Sequence, residues 1–197
     1  MTDYFALFQE TRRPWLDAEI LKDKLHKLSA EHHPDVAKDN SVDFTELNAA
    51  YRMLHDPKTR LRHLLELEFP GTLTSNLQIP ADISRLFETM ARERHSVGAF
   101  LEKQSASKTP LETALMASEK IELLAVLEKL LAVLNQKHEG ILTQIKFMDA
   151  VWEEDKASSE GALLDIYQSV SYVGKWIDQV REDILKMSGG MATGDGW

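Results

Sequence analysis

The sequence contains no cysteine, and this absence excludes several kinds of site. Disulfides, thiolate metal sites, cysteine nucleophiles and cysteine-ligated iron–sulfur clusters all need that side chain. Long apolar runs are also missing: the most apolar stretch, residues 121–134, is interrupted by Glu122, Glu128 and Lys129 and is too short and too charged to span a bilayer. Residues 1–15 lack the apolar segment and small-residue cleavage site of a secretory signal. We therefore expect a cytoplasmic protein with no membrane partner.

Basic residues are also fewer than acidic ones. The 197 residues carry 23 lysines and arginines against 32 aspartates and glutamates, which gives a formal net charge of −9 at pH 7. Nucleic-acid affinity depends on a positive surface, because most of it comes from phosphate contacts. We therefore expect no nucleic-acid partner.

Helix breakers are scarce in the second half of the chain. All six prolines lie in the first 110 residues, and residues 111–187 contain only three glycines. No alternating apolar and polar pattern bounded by turn residues indicates a strand. The sequence therefore predicts an all-α fold with long helices towards the C-terminus.

The N-terminal part predicts a short helix and then an antiparallel helical hairpin. Apolar spacing indicates helices over residues 4–8, from the N-cap Asp17 to about His32, and over residues 44–54. Asp56 and Pro57 have the residue types that begin a further helix. We place this domain at residues 1–68.

Residues 69–80 contain two prolines and a glycine and are the predicted connector. An antiparallel three-helix bundle is expected over residues 81–187, followed by a flexible tail at residues 188–197. Its first helix should cover about residues 82–103. A long second helix should start at Leu111 and bend or break near residues 138–140, and the last helix should cover residues 160–187.

The most informative feature is His33-Pro34-Asp35, which lies between the two helices of the hairpin. Pro34 fixes one backbone dihedral and so reduces the entropy lost on binding. Asp35 offers only acceptors, which suit a guanidinium group, and His33 can both donate and accept. The tripeptide alone could also be an ordinary helix stop. A metal site at His32, His33 and Asp35 is not expected, because no cysteine or further histidine lies nearby.

The residues around this loop resemble the J domain of DnaJ-type co-chaperones over residues 2–67. The following helix contains Asn48-Ala49-Ala50-Tyr51, and Leu54-His55-Asp56-Pro57 and Arg60 come after it. The resemblance implies that this domain stimulates ATP hydrolysis by a DnaK/HscA-type chaperone and has no chemistry of its own. The chaperone-binding residues that it implies are His33, Pro34, Asp35, Lys22, Lys24, Lys27 and His26. One departure is Glu31, where the family often has a basic residue.

The second half narrows the resemblance to the HscB/Jac1-type co-chaperones of iron–sulfur cluster assembly. Residues 82–90 and 171–176 resemble the first and last helices of that family's C-terminal domain. The resemblance implies that the bundle holds an iron–sulfur scaffold protein of the IscU type through an exposed apolar patch. The patch residues that it implies are Leu86, Phe87, Met90 and Tyr172. Ala91 and Arg94 stand where the family tends to carry acidic residues.

Other interpretations remain open at this stage. All four patch residues could instead belong to the core, since that is the usual place of such residues on a helix. The bundle could recruit a different client or serve dimerisation. A di-iron enzyme is disfavoured, because no histidine has a glutamate three positions before it, and no phosphate-binding or nucleophile motif is found. We therefore expect no enzymatic activity, no cofactor and no metal.

Overall fold

The computed structural model describes residues 2–31, 44–74, 80–107 and 109–189. These ranges contain α-helices and two short 3-10 turns but no strand, which confirms the predicted all-α fold. The helices are α1 (Tyr4–Leu7), α2 (Ala18–Glu31), α3 (Phe44–His55), α4 (Pro57–Glu68), α5 (Ala81–Ala106), α6 (Pro110–Leu115), α7 (Ala117–Val151) and α8 (Glu160–Ser188). None of the described helices is long and apolar enough to cross a lipid bilayer.

Side-chain caps set the starts of α2 and α4, as the sequence predicts. Asp17 accepts hydrogen bonds from the backbone N–H groups of Glu19 and Ile20, at 2.9 and 3.2 Å. Asp56 accepts one from the N–H of Thr59 at 2.8 Å, and Pro57 occupies the first turn, where its missing N–H has no cost.

The interruption predicted at residues 138–140 is wrong, because α7 is one continuous helix from Ala117 to Val151. A single glycine such as Gly140 costs a helix only about 1 kcal/mol relative to alanine. Burial of Ile141 and Ile145, one helical turn apart, offsets that cost. The real break lies earlier, at Met116, between α6 and α7.

The chain forms two compact units. The first unit comprises Met1–Gln78 together with Ile141–Val170, and the second unit comprises Ile79–Gly140 together with Ser171–Trp197. The sequence predicts a change of domain at residues 69–80, and the first chain crossing between the units lies there. It does not predict that residues 141–170 join the N-terminal unit.

The first unit is built around α2, α3 and α4, with α1 packed on α3. The apolar spacing that predicts α2 and α3 also predicts their buried faces. Each fully buried leucine contributes about 2 kcal/mol from removal of its surface from water. The buried apolar residues of these four helices are Phe5, Leu21, Leu28, Leu47, Ala50, Leu54, Leu61, Leu64 and Leu65.

The described part of the second unit contains three long helical stretches, which are α5, residues 117–140 of α7 and residues 171–188 of α8, together with the short helix α6. Ion pairs join them: Arg94 of α5 lies near the buried Asp183 of α8, and Lys103 of α5 pairs with Glu119 of α7 at the surface. The buried apolar residues are Ile83, Met90, Val97, Phe100, Met116, Leu127, Leu130, Leu134, Val173, Trp176, Ile177, Val180 and Met187.

Candidate functional site

The predicted chaperone-binding loop, His33-Pro34-Asp35, lies outside the described residues. The two helices on either side of it are described, since α2 ends at Glu31 and α3 begins at Phe44. The loop therefore remains a prediction from the sequence.

The basic residues of α2 divide into two groups. Lys22, His26 and Lys27 are exposed, and no ion pair of theirs is found among the described residues. The two lysine charges are therefore available to steer an acidic partner. Lys24 is half-buried instead, and its Nζ lies 2.5 Å from a carboxylate oxygen of Glu10 and 2.6 Å from the carbonyl oxygen of Gln9. We infer that Lys24 holds the turn after α1 and contributes less to a partner surface.

Arg60 is a buried cation whose structural role the sequence does not reveal. Its Nε donates to the carbonyl of Pro14 at 2.8 Å, and its terminal nitrogen donates to the carbonyl of Leu54 at 2.6 Å. Burial lowers the pKa of Arg60 to about 10, so the side chain stays charged at neutral pH. It therefore joins α4 to the end of α3 and to the segment before α2.

Residues 12–15 are also bonded to the far end of α7. Arg13 pairs with both carboxylate oxygens of Asp149, and one of these oxygens accepts from the N–H of Trp15 at 3.0 Å. Trp152 donates from its indole Nε1 to the carbonyl of Arg12 at 2.7 Å. These contacts, all within the first unit, explain why residues 141–170 pack with the N-terminal helices.

His63 is a second buried titratable group in the first unit. Its Nε2 accepts a hydrogen bond from the N–H of Tyr4 at 3.1 Å, and its ring stacks on Phe5 with the centroids 5.7 Å apart. Burial lowers the pKa of His63, and it outweighs the opposite effect of the Asp3 and Glu66 carboxylates. The imidazole is therefore held neutral inside the fold.

We expect the neutral state of His63 to make the first unit sensitive to acid. Its pKa is lower in the folded protein than the value of about 6.5 in the unfolded chain, so the unfolded chain binds the proton more tightly. The stabilisation is therefore complete above about pH 6.5 and is lost as the pH falls through the folded-state pKa. His63→Gln keeps an acceptor for the Tyr4 N–H but cannot bind the proton. Its free energy of unfolding, measured with urea between pH 7.5 and 5, should therefore depend less on pH than that of the wild type. The control is His95→Gln at an exposed position. If the slope of the unfolding free energy against pH is unchanged in His63→Gln, or changes equally in His95→Gln, His63 is not the source of the acid sensitivity.

The four predicted patch residues of the second unit differ in burial. Phe87 is 50% exposed, Leu86 and Tyr172 are half-buried, and Met90 is only 3% exposed. The interpretation as core residues is therefore correct for Met90 and wrong for Phe87. Phe87 and Tyr172 lie on different helices, yet their ring centroids are 6.3 and 5.8 Å from that of Trp176.

Phe87, Met90 and Tyr172 line one pocket between α5 and α8, with a volume of about 240 Å³, which we call the α5–α8 pocket. Leu86 is not among its lining residues. Trp176 also lines the pocket, although no sequence pattern placed it in the patch. The complete lining is Phe87, Met90, Ala91, Arg94, Tyr172, Lys175, Trp176 and Gln179.

The charged side chains of this lining are Arg94 and Lys175. Arg94 Nε lies 3.4 Å from a carboxylate oxygen of Asp183, which is itself 5% exposed. Burial raises the pKa of Asp183, and the Arg94 charge opposes that rise. No group of three or more histidine, aspartate or glutamate side chains that could hold a metal ion is found in the part of the chain that the structure describes.

Comparison with known proteins identifies the N-terminal region. Residues 12–63 match the DnaJ domain family. Three relatives are each 38% identical over this region: a chaperone protein DnaJ of Prochlorococcus marinus, over 65 residues; the mitochondrial J-type co-chaperone JAC1 of Saccharomyces cerevisiae, over 69; and a co-chaperone protein HscB homolog of Azoarcus, over 73. The matches cover about a third of this chain and only 17%, 38% and 41% of those proteins.

A solved structure resembles nearly the whole fold. Chaperone HscB from Vibrio cholerae matches with a TM-score of 0.56 at 17% sequence identity, over 92% of this chain and 96% of that one. Residues 12–63 are thus a J domain by sequence. In this region the chain is similar to JAC1 and to an HscB homolog, and its fold resembles that of HscB.

Proposed function

We propose that this chain is a co-chaperone that stimulates the ATPase of a DnaK/HscA-type chaperone and delivers an IscU-type iron–sulfur scaffold protein to it. The observation that carries the proposal is the occurrence, in one chain, of a J-domain sequence and a second helical unit in an HscB-like fold. Carrying both partners on one chain raises the concentration of scaffold at the chaperone, which promotes transfer without any new contact.

The chaperone side of the proposal rests on α2 and on the loop that follows it. The exposed Lys22, His26 and Lys27 give this helix a basic surface in a chain whose net charge is −9. Such a surface raises the rate of encounter with an acidic partner more than the final affinity. His33, Pro34 and Asp35 would then make the specific contacts, as the J-domain resemblance implies.

The scaffold side rests on the exposed aromatic residues at the α5–α8 pocket. Large aromatic side chains beside a pocket are the usual sites of high binding energy in protein interfaces. Phe87 exposes half of its surface, and the buried Met90 and Trp176 support it from below. Methionine adapts its shape to different contacts, which suits a binding surface.

We expect Phe87→Ser to weaken binding of a purified IscU-type scaffold about tenfold, because it removes an exposed aromatic anchor and little of the core. Titration calorimetry measures the scaffold affinity, and ATPase stimulation without scaffold should stay at the wild-type level. The matched control is Phe147→Ser, which removes another exposed phenylalanine, 73% against 50% for Phe87, from α7 in the first unit. Met90→Ser is a poor test, because it would open a cavity in the core.

The wild-type titration also tests the proposed function itself. Failure of the intact chain to bind the scaffold would contradict the delivery role. Scaffold binding that is equally strong in wild type and Phe87→Ser would place the scaffold contact away from Phe87.

A further inference from the structure

The α5–α8 pocket combines an apolar floor with two cations at its rim. We propose that it binds a partner segment in which a carboxylate lies next to an apolar side chain. This inference rests on the proposed function, since the segment would belong to the client that the second unit holds. The two cations would make the pocket prefer a negatively charged segment, a preference that apolar contacts alone do not give.

The floor of the pocket has the size and chemistry for one apolar side chain. Met90 and Trp176 are nearly buried and form its base, and the rings of Phe87 and Tyr172 stand at its edge. Pockets that bind cofactors or drug-sized molecules usually have volumes of about 300–1,000 Å³. At about 240 Å³ the pocket is smaller than these, which favours a side chain of another protein as its occupant.

The rim carries positive charge and no carboxylate. Lys175 is exposed, and the described residues include no ion-pair partner for it. An uncompensated ammonium group beside an apolar surface attracts a partner carboxylate, and partial desolvation on binding strengthens that attraction.

Arg94 is positioned for the same task. Its Nε lies 3.4 Å from a carboxylate oxygen of the buried Asp183, an ion-pair contact that favours this position of the guanidinium, while the Arg94 side chain stays 45% exposed. A guanidinium presents its donors as a planar fork that matches a carboxylate. Asp183 therefore acts as a positioning residue for Arg94.

The charges of the chain argue against other classes of occupant. Anionic membranes are usually recognised by clusters of four to eight basic residues, and nucleic acids by extended positive surfaces. This pocket has two cations in a protein whose net charge is −9. An acidic and apolar segment of a folded protein is the occupant that matches both the charge and the volume.

The test uses the full chain labelled with ¹³C at its methionine methyl groups, because Met90 lines the pocket and reports its occupation. Two synthetic peptides serve as probes: one carries two leucines between glutamates, and its twin carries lysines in place of the glutamates. We expect the acidic peptide to shift the Met90 signal in a saturable way and to bind at least fivefold more tightly than its twin.

Lys175→Glu should weaken binding of the acidic peptide about fivefold or more. An exposed charge pair is worth up to about fivefold in affinity, and reversal of the charge adds repulsion. Lys129→Glu makes the same charge change at an exposed position of α7 that does not line the pocket, and it should leave the affinity for the acidic peptide unchanged.

Each alternative result has a defined meaning. Equal binding of the two peptides, absence of any Met90 shift, or insensitivity to Lys175→Glu would overturn the inference. So would a dimer in sedimentation velocity that protects the Met90 methyl from both peptides, because the occupant would then be a second copy. If an IscU-type scaffold binds the wild type and Lys175→Glu equally, the inference fails and the proposed function stands. If the acidic peptide responds as expected and no scaffold binds, the proposed function fails and the charge preference stands.

Discussion

His33→Gln is expected to abolish the stimulation of a DnaK/HscA-type ATPase by this chain. The J-domain resemblance assigns His33 to the contact with the chaperone, and glutamine cannot carry the positive charge that an imidazole can accept. The packing of α2 on α3 depends on residues such as Leu21, Leu28 and Leu47, which the substitution leaves in place. We therefore expect ATP hydrolysis to fall back to the unstimulated rate, a loss of at least about tenfold in stimulation, without loss of fold.

Single-turnover ATP hydrolysis measures this effect directly, and circular dichroism reports the fold. The control is His95→Gln, which makes the same change at an exposed position of α5 in the second unit. Stimulation by His33→Gln at the wild-type level would refute the co-chaperone role of the loop. Scaffold affinity should not change in either variant, which separates this test from the one at Phe87.

Trp152→Ala is expected to give the largest loss of stability. Trp152 is fully buried, donates a hydrogen bond to the carbonyl of Arg12, and packs edge-on against Phe69 at 6.2 Å between ring centroids. Truncation of a buried tryptophan to alanine costs about 3–5 kcal/mol, and here the Arg12 carbonyl also loses its donor. We expect the free energy of unfolding of the first unit to fall by about 4 kcal/mol.

Urea denaturation of the full chain checks this value. Trp152→Phe keeps most of the ring volume and removes the indole donor, so its loss should be smaller, about 1–2 kcal/mol. Phe147→Ala truncates a side chain that is 73% exposed on α7, which ends one residue before Trp152, and should change stability by less than about 0.5 kcal/mol. A loss below about 1 kcal/mol for Trp152→Ala would contradict the packing of residues 141–170 with the N-terminal helices.

Local patterns in the sequence predict most of the helices, because caps and apolar spacing act over a few residues. Asp17 and Asp56 begin their helices as predicted, and the leucines of α2 and α3 face the core. The error at Gly140 arises from treating a glycine as a break when buried neighbours on both sides of it stabilise the helix.

The long-range contacts could not be predicted in this way. Arg13 and Asp149 are 136 residues apart, and Arg12 and Trp152 are 140 residues apart, so no spacing pattern connects them. The stretch Arg12-Arg13-Pro14-Trp15 by itself gives no indication of the partners that its groups find in the fold. For the same reason the sequence placed residues 141–170 in the C-terminal bundle.

The sequence predicts an apolar patch at Leu86, Phe87, Met90 and Tyr172, and its role in binding stays a prediction. Helical spacing puts Phe87 and Met90 on adjacent sides of α5, but it cannot tell which one faces the core. The structure shows Met90 buried and Phe87 exposed, and it adds Trp176 and Lys175 to the lining. Lys175 stands one position before Trp176 in the sequence. Only the packing of α5 beside α8 shows that Lys175 lines the same pocket as Phe87. The role of His33, Pro34 and Asp35 remains a prediction.

The membership of residues 141–170 in the first unit has a consequence for exchanging modules between J proteins. A fragment that stops at residue 68 would contain every position of the J-domain match and still lack Asp149 and Trp152. Its Arg13 side chain, Trp15 N–H and Arg12 carbonyl would then face water in place of their partners. Grafting this J region onto a foreign client-binding module therefore requires transplanting two separate stretches of the gene, the second of which encodes the end of α7 and the start of α8.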